Sequence, residues 1–291
     1  MHIPVLLHEA IDTLSVEPGN VVVDGTYGGG GHTNELLKQF GETVRIICVD
    51  LDEQAEERFK AAQYPSTVQF VHQNFKNASE ILAAAGVEHA DRVLLDLGTS
   101  TFQLLEDTRG FSFRSDTPLR MTFSAAGAHT NTSAYDVVNG WGEETLETIF
   151  KGFGEERRAR TIARAIVTAR EKTPITSSGQ LAALVEAAIG RRGKTHPATR
   201  VFQAIRIAVN EELGVLEAAI TNWFSALPAG GRLAIITFHS LEDRIVKRAF
   251  ASYHQKQFGR VITKKPLVPK RAELISNPRS RSAKLRSIEK L

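Results

Sequence analysis

The sequence predicts an α/β fold: a parallel, Rossmann-like sheet interrupted by a helical insertion. Three observations carry this. Over the first hundred residues, short and almost wholly apolar runs alternate with amphipathic stretches, the pattern of strands covered on both faces. From about 106 to 200 no convincing strand occurs, and helical stretches follow one another. Strand and helix signals then alternate again from about 215. A chain of 291 residues fits one large domain or two smaller ones. The reading assigns 1–105 with 205–291 to a discontinuous sheet domain and 106–204 to the insertion.

The elements follow in order. Val21–Asp24 is a β-branched strand, and a helix runs from about Thr33 to Phe40, ended by Gly41. Val44–Asp50 is the second strand, Glu53–Ala62 a helix stopped near Pro65, and Val68–His72 the third strand. Ala78–Ala85 is a helix capped by Gly86, and Arg92–Asp96 the fourth strand. The insertion holds helices at Glu143–Lys151, Glu155–Lys172, Ser178–Ile189 and Pro197–Glu212. Ser177 or Ser178 suits the cap of the third, and Pro197 the first turn of the fourth. Val215–Leu227 is a helix, Arg232–Phe238 the fifth strand and Leu241–Tyr253 a helix. Two further strands fit near Arg260–Thr263 and Ala283–Ile288.

Three strands end in a carboxylate: Asp24, Asp50 and Asp96. Ligands of open α/β sheets bind beyond the carboxyl ends of the strands, so all three are predicted on one rim. Between Asp24 and the next helix lies Gly25-Thr26-Tyr27-Gly28-Gly29-Gly30-Gly31-His32, a strand, glycine loop and helix N-terminus that suits a nucleotide-like ligand approaching bare backbone. Three ligands compete. The dinucleotide pattern Gly-x-Gly-x-x-Gly fails at Thr33 or Asn34, depending on register. The phosphate-loop pattern from Gly25 meets Gly31 and His32 where Lys and Ser or Thr are required. S-adenosylmethionine carries a sulfonium, an ammonium and a ribose but no phosphate, and a carboxylate at Asp24 is compatible with that positive charge. Asp50 is placed to accept from ribose hydroxyls, and Phe75, just after the third strand, offers an apolar face to the adenine or simply packs in the core.

Bulk composition narrows the class. Apolar and charged fractions of 42% and 24% are those of an ordinary globular chain able to bury a sizeable core. No apolar run approaches the roughly 18–20 residues that span a bilayer, and Met1-His2-Ile3-Pro4 lacks a signal-peptide start. The one cysteine, Cys48, sits in an apolar strand and reads as a small buried hydrophobe. A cytoplasmic location is expected. The nine histidines form no metal-ligand spacing, so no metal is expected. Residues 260–291 carry net +8 and the remainder net −5, and this asymmetry points to a phosphate-rich partner or to a solvated cationic surface.

Ordered motifs span nearly the whole chain: Pro4-Val5-Leu6-Leu7, Asp24-Gly25-Thr26-Tyr27-Gly28, Asp96-Leu97-Gly98, Arg109-Gly110-Phe111-Ser112-Phe113, Gly154-Glu155-Glu156-Arg157, His196-Pro197-Ala198-Thr199-Arg200, Phe202 to Asn210, Phe238-His239-Ser240-Leu241-Glu242-Asp243-Arg244, and Asn277-Pro278-Arg279. On these the chain resembles the bacterial RsmH (MraW) family of small-subunit rRNA cytosine 4-amino methyltransferases. The resemblance implies a class I S-adenosylmethionine-dependent methyltransferase fold with a helical inserted domain for substrate recognition. It implies methyl transfer to the exocyclic 4-amino group of a cytosine in the decoding (P-site) region of 16S rRNA. The partner would be 16S rRNA or the small ribosomal subunit, and a homodimer is compatible. By resemblance the cofactor contacts fall on Gly30, Gly31, His32, Asp50, Phe75, Asp96 and Gln103. The chain departs from the family pattern at Ser100-Thr101-Phe102-Gln103-Leu104-Leu105 and at Asp116-Thr117-Pro118-Leu119-Arg120-Met121, where it is two residues shorter.

A cytosine amine is a poor nucleophile because its lone pair is delocalised, so an acceptor for its protons is required. Asp96, or the backbone carbonyls just after it, lies on the right rim, with Asp116 and His239 as further candidates. Phe111 and Phe113 beside Arg109 and Arg114 are candidates for base stacking or for core packing. Arg191-Arg192-Gly193-Lys194 and the basic segment suit phosphates. Competing classes are a methyltransferase acting on another RNA base, one acting on a small molecule, and a non-enzymatic RNA-binding or assembly protein. The intact glycine loop with Asp50 and Asp96 argues against the last.

Overall fold

A computed structural model describes residues 4–98, 108–113, 116–123, 132–191 and 196–291. The chain folds as two compact units, Met1–Gly98 with Leu213–Leu291, and Thr99–Glu212. The division falls at 98/99 and 212/213, where the sequence reading drew it at 105/106 and 204/205.

In chain order the first unit opens with α1 (Leu7–Leu14), β1 (Val21–Asp24), α2 (Gly31–Phe40), β2 (Arg45–Asp50), α3 (Glu53–Ala62), β3 (Val68–His72), α4 (Ala78–Ala85) and β4 (Arg92–Asp96). The second unit contains α5 (Ala134–Gly140), α6 (Glu143–Gly152), α7 (Ala159–Arg170), α8 (Ser178–Ile189) and α9 (Thr199–Asn210). The chain then continues through α10 (Glu212–Ala226), β5 (Arg232–Thr237), α11 (Ser240–Gln255), β6 (Gly259–Val261), α12 (Arg271–Ser276) and β7 (Lys284–Lys290).

The first unit is built on a seven-stranded sheet in the order β3-β2-β1-β4-β5-β7-β6. A mainly parallel sheet interrupted by a helical unit is the fold that the family resemblance implies. Strands β3 to β5 are mutually parallel, and β7 pairs antiparallel with both β5 and β6. Helix α11 carries the chain from β5 past one position to β6, and β7 fills the gap running the other way. Strand alternation splits the apolar residues between two layers. Val23, Ile47, Val49, Val93 and Leu95 pack with Ile81, Ile220, Trp223 and Phe250. Val22, Ile46, Cys48, Leu94 and Ile236 pack with Leu6, Ile11, Leu14 and Leu36. Cys48 is buried as a core residue, and burial pushes its thiol well above the usual range.

The second unit has its own core, drawn from all five of its described helices and including Val137, Phe150, Ile162, Val185 and Ile205. Its helix starts are explicit: Ser133 with Asp136 on α5, and Ser177 with Gln180 on α8, form reciprocal capping boxes. Helix α7 begins four residues later than the periodicity predicts. Glu155 takes a left-handed conformation (φ 49°), and Glu156 Oε1 accepts the Arg158 N–H, so the helix forms only beyond them.

Among the described residues no helix is long and apolar enough to cross a membrane. The basic segment 260–291 is no free tail. Arg260 pairs with Glu289 at 2.7 Å, Lys284 and Arg286 clamp Asp243 at 2.9 and 2.7 Å, and Lys290 donates to the carbonyls of Ser225 and Leu227. Lys264, Lys265, Arg271, Arg279 and Arg281 are exposed.

Trp223 joins α10 to the loop after β3: it is fully buried and its Nε1–H donates to the Phe75 carbonyl at 2.6 Å. Trp223→Ala should cost about 3–5 kcal/mol of stability, from the lost volume and the unpaired carbonyl. Trp223→Phe should cost clearly less. Urea unfolding of both variants measures this.

Candidate functional site

The glycine loop closes over the end of β1. Gly28 and Gly30 have positive φ, 54° and 73°, which excludes most side chains. A Cβ on Gly30 would lie 2.7 Å from the Tyr27 hydroxyl, and one on Gly31 2.1 Å from Pro4 Cγ. Glycine is therefore required at these two positions by turn geometry and by protein packing. This shifts the reason from the one expected, in which glycine clears space for a ligand. Asp50 fixes the loop from β2: Oδ2 accepts the Gly28 N–H at 2.7 Å and Oδ1 the Asp52 N–H at 2.9 Å. Each oxygen retains lone-pair capacity. Burial holds this carboxyl above its ordinary range, against the opposite pull of those donors. Arg58 Nε donates to the Gly28 carbonyl and the Tyr27 N–H to Val49, so both sides of the loop are anchored.

His32, in the first turn of α2, is buried, with Nε2 3.3 Å from the Val5 carbonyl. Burial lowers its pKa, with Asp24 opposing, and favours a neutral ring. Its visible role is to tie the segment before α1 to α2.

The sheet register produces the rim. Asp24 stands opposite Cys48 and Leu94, so Asp50 and Asp96 extend two residues beyond it on either side. Asp24 is 0% exposed. Its Oδ2 accepts the Thr33 hydroxyl at 2.8 Å, while Oδ1 is buried without a partner. Asp96 is tied through its own N–H to Thr26 Oγ1 at 2.6 Å, and its Oδ1 is likewise buried and unpartnered. Burial, followed by the charges of Asp24, Glu242 and Glu273, raises the Asp96 carboxyl well above the usual range. Glu273 is held by the Leu6 N–H at 2.9 Å. Sequence reasoning missed Glu242 and Glu273, and only the His239-x-x-Glu242 capping spacing could have drawn notice to the first. Phe75 is half-buried, against the β1–β2–β4 layer.

His239, just after β5, caps α11: its Nδ1 accepts the Glu242 N–H at 3.3 Å, and Glu242 Oε2 accepts the N–H groups of Phe238 and His239. A nitrogen that accepts a backbone N–H carries the lone pair, so the neutral ring has its proton on Nε2. His239 is thus a donor at its outer nitrogen, contrary to the proton-accepting role considered for it.

The second unit places other candidates in structural roles. Asp116 Oδ1 accepts the Gly179 N–H at 3.2 Å in the first turn of α8. Phe111 is buried and stacked on Phe123 with centroids 5.7 Å apart, which favours the core-packing alternative for it. Phe113 stacks on His196 at 4.4 Å and meets Phe202 edge-on. Gln103, Arg114 and Arg192 to Lys194 lie outside the described residues.

The model of the MraW methylase family matches residues 1–291. A protein of Paenibacillus sp. (strain JDR-2) named ribosomal RNA small subunit methyltransferase H is 45% identical over 316 aligned positions, covering 100% of this chain and 99% of that protein. The protein of the same name from Clostridioides difficile (strain 630) is 43% identical over 310, with the same coverage. A solved rRNA methylase from Streptococcus thermophilus is similar with a TM-score of 0.46 and 12% identity, over 100% of this chain and 99% of that one. With a matched family model over its entire length and relatives above 40% identity, this chain belongs to the MraW methylase family.

Proposed function

We propose that this chain methylates small-subunit ribosomal RNA with S-adenosylmethionine as donor, at the exocyclic 4-amino group of a cytosine in the decoding region of 16S rRNA. Family membership and the names of the relatives support rRNA methylation. The observation that carries the donor is the pair of buried carboxylate oxygens without partners, Asp24 Oδ1 and Asp96 Oδ1, beside a glycine loop. Buried anionic oxygens left unpaired are costly unless a cation meets them, and a sulfonium with an ammonium fits where a pyrophosphate would be repelled.

In this reading Asp50 accepts from the ribose hydroxyls with the lone pairs its two backbone bonds leave over. The backbone at Gly30 and Gly31, with His32, frames the amino-acid end, Phe75 packs against the adenine, and Gln103 completes the set. When bound, S-adenosylmethionine supplies an electrophilic methyl group on a positively charged sulfur. Asp96 Oδ1 accepts a hydrogen bond from the target amine, localises its lone pair and takes the proton released as the N–C bond forms. The helical unit, residues 99–212, serves as the substrate-recognition domain, and Lys264, Lys265, Arg279 and Arg281 contact phosphates.

Asp96→Asn should weaken donor binding by calorimetry modestly and lower methyl transfer by far more, about 100-fold or more at saturating donor. Normal turnover in that variant removes Asp96 from catalysis. In the free protein the Asp96 carboxyl, raised by burial and by neighbouring carboxylates, holds its proton above the ordinary carboxylate range. A cationic donor favours the ionised form, so binding below the raised pKa expels a proton. Donor affinity should therefore rise with pH through that window and then level off. Asp96→Asn should flatten the profile, as measured by titration in buffers of different ionisation enthalpy. Replacing Lys264, Lys265, Arg279 and Arg281 together with Gln should reduce the salt slope of log affinity for 16S rRNA fragments by about 3.

A further inference from the structure

The proposed reaction uses the unpartnered oxygen of Asp96 and leaves a second orphan on the neighbouring strand unexplained. Strands β4 and β5 lie side by side in parallel, with Asp96 in register with Ile236, and His239 follows three residues on. The His239 side chain is 9% exposed, and its Nε2 is buried without a hydrogen-bond partner. Glu242 Oε1 is 3.2 Å from that nitrogen but outside hydrogen-bonding geometry. Because Nδ1 accepts the Glu242 N–H, Nε2 is the protonated nitrogen. The rim therefore carries an acceptor without a hydrogen-bond partner, Asp96 Oδ1, at the end of one strand, and just beyond the end of the next a donor without one, His239 Nε2–H, whose near neighbour is Glu242 Oε1. Unpaired buried polar atoms are rare and call for an explanation.

Base edges sort cleanly against such a pair. Cytosine offers an acceptor, N3, next to a donor, its 4-amino group, and adenine offers N1 next to its 6-amino group. Uracil and guanine present the reverse, a ring N–H beside a carbonyl. Enzymes that act on a base extruded from its stack read it through this edge. We propose that His239 is a base-specificity residue, its Nε2–H donating to the ring nitrogen adjacent to the amine that Asp96 accepts from. The pair then selects cytosine or adenine edges and rejects uracil and guanine. This rests on the reading that the target is a cytosine amine. The ring is held in place, since Nδ1 is fixed by the helix cap and Glu242 closes the same capping box.

The test removes donor and acceptor separately. His239→Asn preserves the cap, since Asn accepts at this position as well as any residue, but its short amide does not reach the place of Nε2. The matching change in substrate is a 16S rRNA fragment whose target is 3-deazacytidine, which keeps the amine and lacks the N3 acceptor. kcat/KM is measured for both proteins on both RNAs, with thermal unfolding as the control for folding. The wild type should lose about tenfold or more on the 3-deaza RNA relative to the variant's own ratio, a comparison in which any intrinsic change in amine reactivity divides out. His239→Asn should lose about tenfold or more on normal RNA and nothing further from the analogue. If His239→Asn does not fold, His239→Ser, which also caps the helix and carries no group at the place of Nε2, stands in for it, and equal ratios of the two RNAs in wild type and variant overturn the proposal. So does a variant that keeps the full wild-type preference. If the wild type places no methyl on the cytosine amine of normal RNA, the underlying reading fails and the proposal falls with it. If it does so but the two losses simply multiply, only the role of His239 fails.

Discussion

A carboxylate with no exposed surface organises the working end of the first unit. Asp24 ends β1, the central strand of the parallel half of the sheet, and strands on either side run two residues past it. Its one satisfied oxygen holds Thr33 at the start of α2. The other oxygen adds to the field that raises Asp96. A carboxylate at this depth is costly while one oxygen lacks a partner, and the backbone around it is held in place by other bonds: the N–H groups of Tyr27, Gly28 and Asp96 go to Val49, Asp50 and Thr26. Rigidity here comes from hydrogen-bonding necessity as much as from apolar packing.

Much of this was legible in the residues themselves. The strands β1, β3 and β4 and the helices α3, α4 and α8 match the boundaries read from the sequence: β1 and β4 are apolar runs ended by Asp, α4 is stopped by Gly86, and α3 and α8 start from the side-chain caps of Asp52 and Ser177. The three carboxylates on one rim follow from the parallel register. The elements that escaped were α1, α5 and α12. Helix α1 starts from Leu6 in a left-handed conformation without a side-chain cap. Helix α5 has seven residues, and α12 has six with none buried, so neither builds a visible period. The pairing of Asp96 with Glu242 and Glu273 was out of reach because it depends on long-range contacts that no local pattern encodes.

Charge counts needed the fold to be read correctly. Ten basic side chains near the carboxyl end look like one electrostatic feature in the sequence. The folded chain spends Arg260 on tying β6 to β7, Lys284 and Arg286 on tying β7 to α11, and Lys290 on tying β7 to the end of α10, and Asp243 is held below the usual carboxylate range by Arg286 and Lys284 despite its burial. What remains for a polyanion is the exposed stretch between β6 and β7. Net charge therefore overstates the footprint available to a partner, and position within the sheet decides which cations are free.

The place of β7 has a bearing on how the chain comes to be folded. Residues up to 261 supply six of the seven strands, but β5 and β6 do not touch; the position between them is taken by 284–290. Until those residues have left the ribosome, β5 has an open edge facing an empty slot, the kind of surface that recruits the wrong strand. Synthesis at about 5–20 residues per second makes that interval on the order of seconds. The half of the sheet that forms the carboxylate rim can assemble first, while closure of the other half waits for a strand arriving late and running backwards. The order of translation thus sets an interval during which this chain depends on its surroundings to stay unpaired.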